Sequence, residues 1–441
     1  MVLIKGGRLY DKTAGETDVL IMDGKIAEIS GSIQKNAGMT VINASGMIIA
    51  PGLVDMHVHL RDPGFLYKED ILTGAAAAAA GGVTTCCCMP NTEPVADSAG
   101  IIKYIISKAN RAPVRVLPYG AVTVGQNGKE LTDFAALKAA GAVALSDDGN
   151  PIQSGEVMRG ALRKARENDL VIIAHCEDAE LVKNYAVNEG NVSKLLGIPG
   201  RPAKAEEMMV ERDAKLAADK GARLHIAHVS TAGSVDIIRK AKASGAKITS
   251  ETCPHYFSLT EGEVLRQGAI ARVNPPLRTE ADVAAIIEGL CDGTIDVIAT
   301  DHAPHSKREK KRPLATAPSG MIGLETSLAV TLTHLYHTGK LSLERIIALM
   351  SVNPARILGL GAWAEGSGAG ALGADARAEG SGAGALTVGA AADIVVFDPD
   401  EEWTVDIKRF KSKSRNTPFG GAKLRGKVKY TICRGSIVYR S

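Results

Sequence analysis

Residues 53–64 read LVDMHVHLRDPG, an apolar run that ends in two histidines one residue apart and passes at once into Arg61, Asp62, Pro63 and Gly64. Side chains two apart on a strand point to the same face, so His57 and His59 present two imidazoles side by side. Such a pair at the end of a strand suggests a metal site, and the rest of the chain has to supply the remaining ligands.

Working outward from this run, short β-rich stretches alternate with helical ones from about residue 51 to 360. The strand candidates are 53–59, 83–89, 114–122, 142–147, 171–176, 223–229, 247–252 and 295–300. Segments such as SGEVMRGALRKAREN and AEEMMVERDAKLAADKG lie between them and end near Gly or Asn, as helices do. Eight strand–helix repeats predict an α/β fold of the (β/α)₈ barrel type over residues 51–360. Residues 1–50 read instead as short strands and turns (VLIKGG, DVLIMDGKIAEIS, TVINASGMIIA), and residues 387–441 return to that style, with turn-forming DG and RG pairs. Neither end has enough strands to bury a core alone, so the two are expected to pair into one small β domain beside the barrel. Residues 361–386 are read as a linker: AEGSGAGAL at 364 recurs at 378, in a near-tandem repeat of period 14 rich in Gly, Ala and Ser.

The chain has 441 residues, 45% of them apolar and 23% charged, the balance of a globular protein with a sizeable core. A net charge of +3 is too small to argue for nucleic acid or an anionic membrane, which leaves a small molecule as the partner. Seven cysteines form no C-x-x-C pair and no even framework, which fits a reducing compartment. With no signal-peptide pattern at MVLIKGGRLY and no run approaching a membrane span, the expected location is the cytoplasm.

In a (β/α)₈ barrel the catalytic groups sit at the carboxyl ends of the strands. Those ends carry His57, His59 and Arg61 on the first strand, Asn91 on the second, Asp147 and Asp148 on the fourth, His175 on the fifth, His228 on the sixth and Asp301 on the eighth. Four histidines and the carboxylates are enough for two divalent metals, and zinc suits such ligands. The other histidines read as structural. His225, three residues before His228, is expected on the opposite face against a helix, and His302 faces away from Asp301. His255, His334 and His337 are read as packing or surface residues, and Cys86, Cys87 and Cys88 as small side chains in a crowded barrel wall.

DMHVHLRDPG, MPNTEP, SDDG, AHCE, HIAHVST, CPHY, VNPPLR and ATDHAPH follow one another in the order seen in the cyclic amidohydrolases, and the set most resembles the class I dihydroorotases. The resemblance implies that His57 and His59 bind one zinc with Asp301, that His175 and His228 bind a second, and that a bridging group joins them. Hydantoinases and allantoinases bridge with a carboxylated lysine at the end of strand four, but residues 141–151 contain no lysine. The chain resembles the branch that bridges with aspartate, in which Asp148, the second Asp of SDDG, takes that place; spacing alone leaves Asp147 open.

Arg61 offers a planar fork suited to a carboxylate, which dihydroorotate carries and allantoin lacks. The resemblance adds Asn91 and His305 around the same carboxylate, and Asn274 with the backbone near Ser319 and Gly320 along the pyrimidine ring. Relatives often have an aromatic residue where Ser319 stands. The implied chemistry is attack on the ring amide by a hydroxide generated on two zinc ions, with Asp301 as general acid and base. In reverse it closes N-carbamoyl-L-aspartate into L-dihydroorotate, a step of pyrimidine biosynthesis. A homodimer and association with aspartate carbamoyltransferase also fit the resemblance. Two alternatives are another cyclic amidohydrolase, opposed by Arg61 and the missing lysine, and an inactive scaffold subunit, opposed by the full ligand set. Finally, HSKREKKRPLATAPSG at 305–320 is expected to form a mobile loop over the site, its basic residues hydrated.

Overall fold

In the computed structural model, which describes residues 1–183, 185–360 and 382–441, the N-terminal runs become β1 (Val2–Leu9), β2 (Thr17–Met22), β3 (Lys25–Ser30), β4 (Thr40–Asn43) and β5 (Ile48–Pro51). The barrel runs become β6 (Leu53–Val58), β7 (Val83–Cys88), β8 (Arg115–Pro118), β9 (Leu145–Ser146), β10 (Ile172–Ala174), β11 (Leu224–Ile226), β12 (Ile248–Thr252) and β13 (Val297–Ile298). The C-terminal runs become β14 (Ile394–Thr404), β15 (Lys423–Cys433) and β16 (Ser436–Arg440).

Both ends of the chain share one sheet, in the order β16-β15-β14-β5-β1-β2-β3, with β4 paired to β1. Asp23–Gly24 and Arg434–Gly435 turn β2 into β3 and β15 into β16, all four residues at positive φ as a tight hairpin turn of this kind requires. The two turns abut so closely that a Cβ on Gly435 would fall 2.6 Å from Gly24 Cα, which restricts the contact to glycine.

The barrel closes from two arcs. Strands β6-β7-β8 and β9-β10-β11-β12-β13 form parallel sheets, and the parallel bridges Gly120–Leu145 and Val58–His302 join them at both seams. An inner core of side chains such as Met56, Cys87, Tyr119, Ile173 and Val297 fills the barrel, while Cys86, Cys88, Ile172 and Leu224 pack outward against the helices. The observed strands are shorter than the sequence runs, and in most of them the last residues of the run leave the ladder, β12, which keeps its last residue, being an exception. Residues 361–381 of the expected linker lie outside the described residues; of the remainder, Ala383 is buried against the inner core.

Candidate active site and metal centre

Val54 and Met56 both face the inner core, so strict alternation along β6 would send His57 and His59 out toward the helices. A β-bulge prevents this. Between Asp55 and Val58, β6 advances three residues while β7 advances two, Asp55 pairing with Cys86 and Val58 with Cys88, and the extra residue turns both imidazoles into the mouth. Other site residues arrive by left-handed backbone: Arg61, His228 and Asp301 have φ of 60, 35 and 46. Non-glycine residues in this region are held there at a cost, and they concentrate at functional sites.

The six expected ligands converge. His57, His59 and Asp301 bring one donor atom each within 4.8 Å of one another, and so do His57, Asp148 and His228. His175 Nδ1 lies 3.2 Å from Asp148 Oδ1 and 2.8 Å from His228 Nε2. His59 Nε2 is 3.0 Å from Asp301 Oδ1, and His57 Nε2 stands between Asp148 at 3.6 Å and Asp301 at 3.4 Å. The geometry separates the two adjacent aspartates. Asp147 Oδ1 accepts from the backbone of Val122 (2.8 Å) and Thr123 (3.1 Å), and Oδ2 takes the Thr123 hydroxyl, so only Asp148 faces the histidines.

These residues fit a divalent cation. His57 Nε2 is buried, faces two carboxylates and has no hydrogen-bond partner among the described residues. Burial works against charge on His57, yet the carboxylates of Glu251, Asp148 and Asp301 outweigh it and hold the ring well above its ordinary pKa. Asp148, despite its burial, is held well below the usual carboxylate range by His57, His175 and His228. Protons on His57 and His175, both held above the ordinary imidazole range by neighbouring carboxylates, thus balance the acids, and a metal would displace them. Imidazole and carboxylate donors without thiolate suit zinc.

Behind the ligands stand residues that the sequence reading did not single out. His57 Nδ1 donates to Glu251 Oε1 at 2.5 Å, and Glu251 is fully buried at the base of the site. The same carboxylate draws in His225, whose Nε2 lies 3.3 Å from Glu251 Oε2 while its Nδ1 meets Thr249 Oγ1 at 2.8 Å. His225 therefore faces the barrel interior, not a helix. The expectation failed because it took His225 and His228 to alternate regularly, whereas the positive φ of His228 breaks the alternation after Ala227. On the rim, Glu177 Oε2 lies 3.5 Å from His175 Nε2, and Arg201 Nη1 bonds Glu177 Oε1 at 2.6 Å. Arg201 also donates to Asn274 Oδ1, and Asn274 Nδ2 returns to Glu177 Oε2 at 3.3 Å. A glutamate amid threonines on an interior strand, and one two residues past a histidine, are the signals that could have flagged Glu251 and Glu177, since buried carboxylates require partners.

Above the ligands opens a cavity of about 210 Å³, lined in part by Arg61, Asn91, Asn274, His305, Ser319 and Gly320, the whole expected substrate set. Arg61 Nε donates to the Pro304 carbonyl at 3.3 Å, and no hydrogen bond among the described residues engages its two terminal nitrogens. Asn91 has a second duty, since its Oδ1 accepts from His59 Nδ1 at 2.9 Å and so fixes that ring. His305 Nε2 donates to the Ser319 carbonyl at 2.8 Å, tying the two ends of the 305–320 loop together. His302, as expected, faces away, toward Glu69 and the backbone of Gly323.

Two curated relatives align with the chain from end to end. A dihydroorotase of Acetivibrio thermocellus is 47% identical over 443 residues, covering 100% of this chain and 99% of its own, and one of Citrifermentans bemidjiense is 48% identical over 444 residues, covering 100% of both. The chain belongs to the dihydroorotase family. The family model described as dihydro-orotase-like matches residues 46–234, which carry five of the six converging ligands. Among solved structures, the L-hydantoinase (dihydropyrimidinase) of Arthrobacter aurescens is similar with a TM-score of 0.84 at 26% identity, covering 100% of this chain and 96% of that one. That likeness sets this dihydroorotase-family barrel among the TIM-barrel amidohydrolases. No helix among the described residues is long and apolar enough to cross a membrane.

Proposed function

We propose that the chain is a dihydroorotase of pyrimidine biosynthesis, of the class I type with two zinc ions and an aspartate bridge, interconverting L-dihydroorotate and N-carbamoyl-L-aspartate. The observation that carries the substrate is Arg61, which lines the cavity beside the converging histidines and aspartates and whose two terminal nitrogens have no hydrogen bond among the described residues. A carboxylate is the natural complement of that fork, and dihydroorotate carries one where allantoin does not. His57, His59 and Asp301 would hold one zinc, His175 and His228 the other, with Asp148 between them. Zinc, when bound, lowers the pKa of a coordinated water and polarises the amide carbonyl.

The chain's own residues do the rest. Arg61, Asn91 and His305 hold the substrate carboxylate, while Asn274 and the backbone at Ser319 and Gly320 hold the ring. Asp301, on the cavity wall and 3.0 Å from His59, takes the proton from the attacking oxygen and delivers it to the departing ring nitrogen. The proposal extends to a cytoplasmic setting, in keeping with seven free cysteines, and to assembly as a homodimer or with aspartate carbamoyltransferase.

The test is zinc content together with turnover of L-dihydroorotate, allantoin and dihydrouracil. Two zinc ions per chain and turnover of L-dihydroorotate alone are expected. Arg61→Ala should raise KM by about 10- to 100-fold and Arg61→Lys should restore it only in part, because a charge-assisted bidentate pair is lost. Unchanged kinetics in Arg61→Ala would place the carboxylate elsewhere or exclude the substrate.

A further inference from the structure

The basic run KREKKR at 307–312 is not uniformly hydrated. Residues 307–310 form a helical turn capped by Ser306, whose backbone N–H and hydroxyl both reach Glu309 Oε2, at 2.9 and 2.8 Å. Lys307, Arg308, Lys311 and Arg312 are exposed, and Glu309 turns to Lys68 at 3.0 Å. Lys310 goes the other way and is only 5% exposed. Its Nζ lies 2.8 Å from the Gly320 carbonyl, 3.0 Å from that of Pro318 and 3.2 Å from that of Arg272. Three carbonyl acceptors call for three donors, which an ammonium supplies and a neutral amine does not. Burial, with the Arg272 charge adding to it, pushes its pKa down to about 7.

The carbonyls it gathers matter by their location. Ser319 and Gly320 line the substrate cavity. Gly320 N–H also donates to the Arg272 carbonyl at 2.9 Å, and Arg272 Nε reaches Ser319 Oγ at 3.2 Å. At the loop's ends, Asn416 from the C-terminal segment accepts from His305 N–H at 3.1 Å and donates to the Gly320 carbonyl at 3.0 Å. Gly320 sits at φ 132, and a Cβ there would fall 2.7 Å from Ala303 Cβ, so the close approach of this backbone to Ala303 is open to glycine alone. We propose that Lys310 is a positioning residue, its buried ammonium latching the 305–320 loop so that His305, Ser319 and Gly320 are in place before substrate arrives. The substrate side of this inference rests on the dihydroorotase reading; the latch itself does not.

The test compares Lys310→Met, Lys310→Gln and the exposed neighbour Lys311→Met in zinc-loaded protein. Amide hydrogen exchange of peptides spanning 305–320 is followed without substrate, and KM and kcat are measured with L-dihydroorotate. Lys310→Met should lose about tenfold or more of the loop's protection and raise KM about tenfold, with kcat changed less than about threefold and zinc retained. Lys311→Met should match the wild type in all four. If Lys310→Met does not fold, Lys310→Gln, which keeps part of the donor set, is expected to move in the same direction by less. Wild-type exchange and KM in whichever Lys310 variant folds would overturn the proposal, and so would loop opening without a rise in KM. If the wild type fails to turn over dihydroorotate, the functional reading falls, while the exchange measurement still decides the latch.

Discussion

His57 and His175 face the same carboxylate, Asp148, from different strands, and what stands behind each differs in kind. Behind His57 is Glu251, at 2.5 Å and fully buried in the barrel floor, with His225 and Thr249 as the neighbours described above. Behind His175 is Glu177, at 3.5 Å on the rim, where it shares Arg201 and Asn274. Asn274 is a wall of the substrate cavity and Glu251 is not. A ligand histidine is oriented and made more basic by the partner of its second nitrogen. On the proposed two-metal reading, one ligand is therefore held from the interior alone, the other through residues that include Asn274 of the cavity wall. Damage behind His57 should alter metal retention by itself, and damage behind His175 should alter metal retention and substrate affinity together.

The most drastic way to probe this contrast is to remove what the two halves share. Asp148→Ala should drop zinc content below about one ion per chain and lower kcat/KM by about a thousandfold or more, because both halves lose their common carboxylate. Asp147→Ala should keep its zinc and lose only about 1–3 kcal/mol of stability, since it leaves the Val122 and Thr123 donors unpaired. Elemental analysis and thermal unfolding of the two variants decide the matter. Equal metal loss in both would mean that the two aspartates act as one unit.

Next in size is Glu251→Gln. Burial would raise the pKa of Glu251, but His57 and His225 hold it far below the ordinary carboxylate range, so the substitution removes a full negative charge. The fold can absorb the change, because His225 can exchange tautomers between Glu251 and the Thr249 hydroxyl, which both donates and accepts. Zinc affinity, measured by competition with a chelator, should fall about 10- to 100-fold. KM for L-dihydroorotate at saturating zinc should stay within about twofold. A KM that rises with it would show that the barrel floor also reaches the substrate, and the contrast between the two histidines would fail.

Much of this architecture is legible in the sequence, and what is not has a physical reason. All eight barrel strands fall within the expected runs, since β-rich stretches between helical ones are a local signal, and the DG and RG pairs mark hairpins because their turn demands positive φ. The bulge in β6 leaves no such trace. Alternation from Val54 and Met56 predicts the wrong face for His57, and only the pairing with β7 reveals the extra residue. His225 departs from its expected face for the same kind of reason, an irregular backbone at His228. Strand ends are where a barrel's reactive groups are expected, whereas Glu251 lies inside β12 and Arg201 between helices. Lys310 does not stand out from its four basic neighbours in the sequence, because which face of one helical turn is covered depends on how the loop folds back to Gly320 and on Arg272, distant in the chain.

Glu177→Gln carries the smallest expected effect and the sharpest form of the comparison. Burial would raise the pKa of Glu177, but His175 and Arg201 bring it down to about 2, so the carboxylate is charged at neutral pH. Glutamine keeps the shape and removes the charge. The His175 contact is long, so zinc affinity should fall less than for Glu251→Gln, by about three- to tenfold. Arg201, however, loses its ionic partner at 2.6 Å, and its hold on Asn274 changes with it. KM for L-dihydroorotate at saturating zinc should then rise about three- to fivefold, with kcat little changed, because Asn274, proposed to hold the ring, has moved and Asp301, proposed to transfer the proton, has not. Zinc loss with KM unchanged would mean that Asn274 is placed without the Glu177–Arg201 pair, leaving distance as the only difference between the two supports. A rise in KM with zinc affinity intact would mean that packing alone orients His175, and that Glu177 belongs to the substrate cavity and not to the metal.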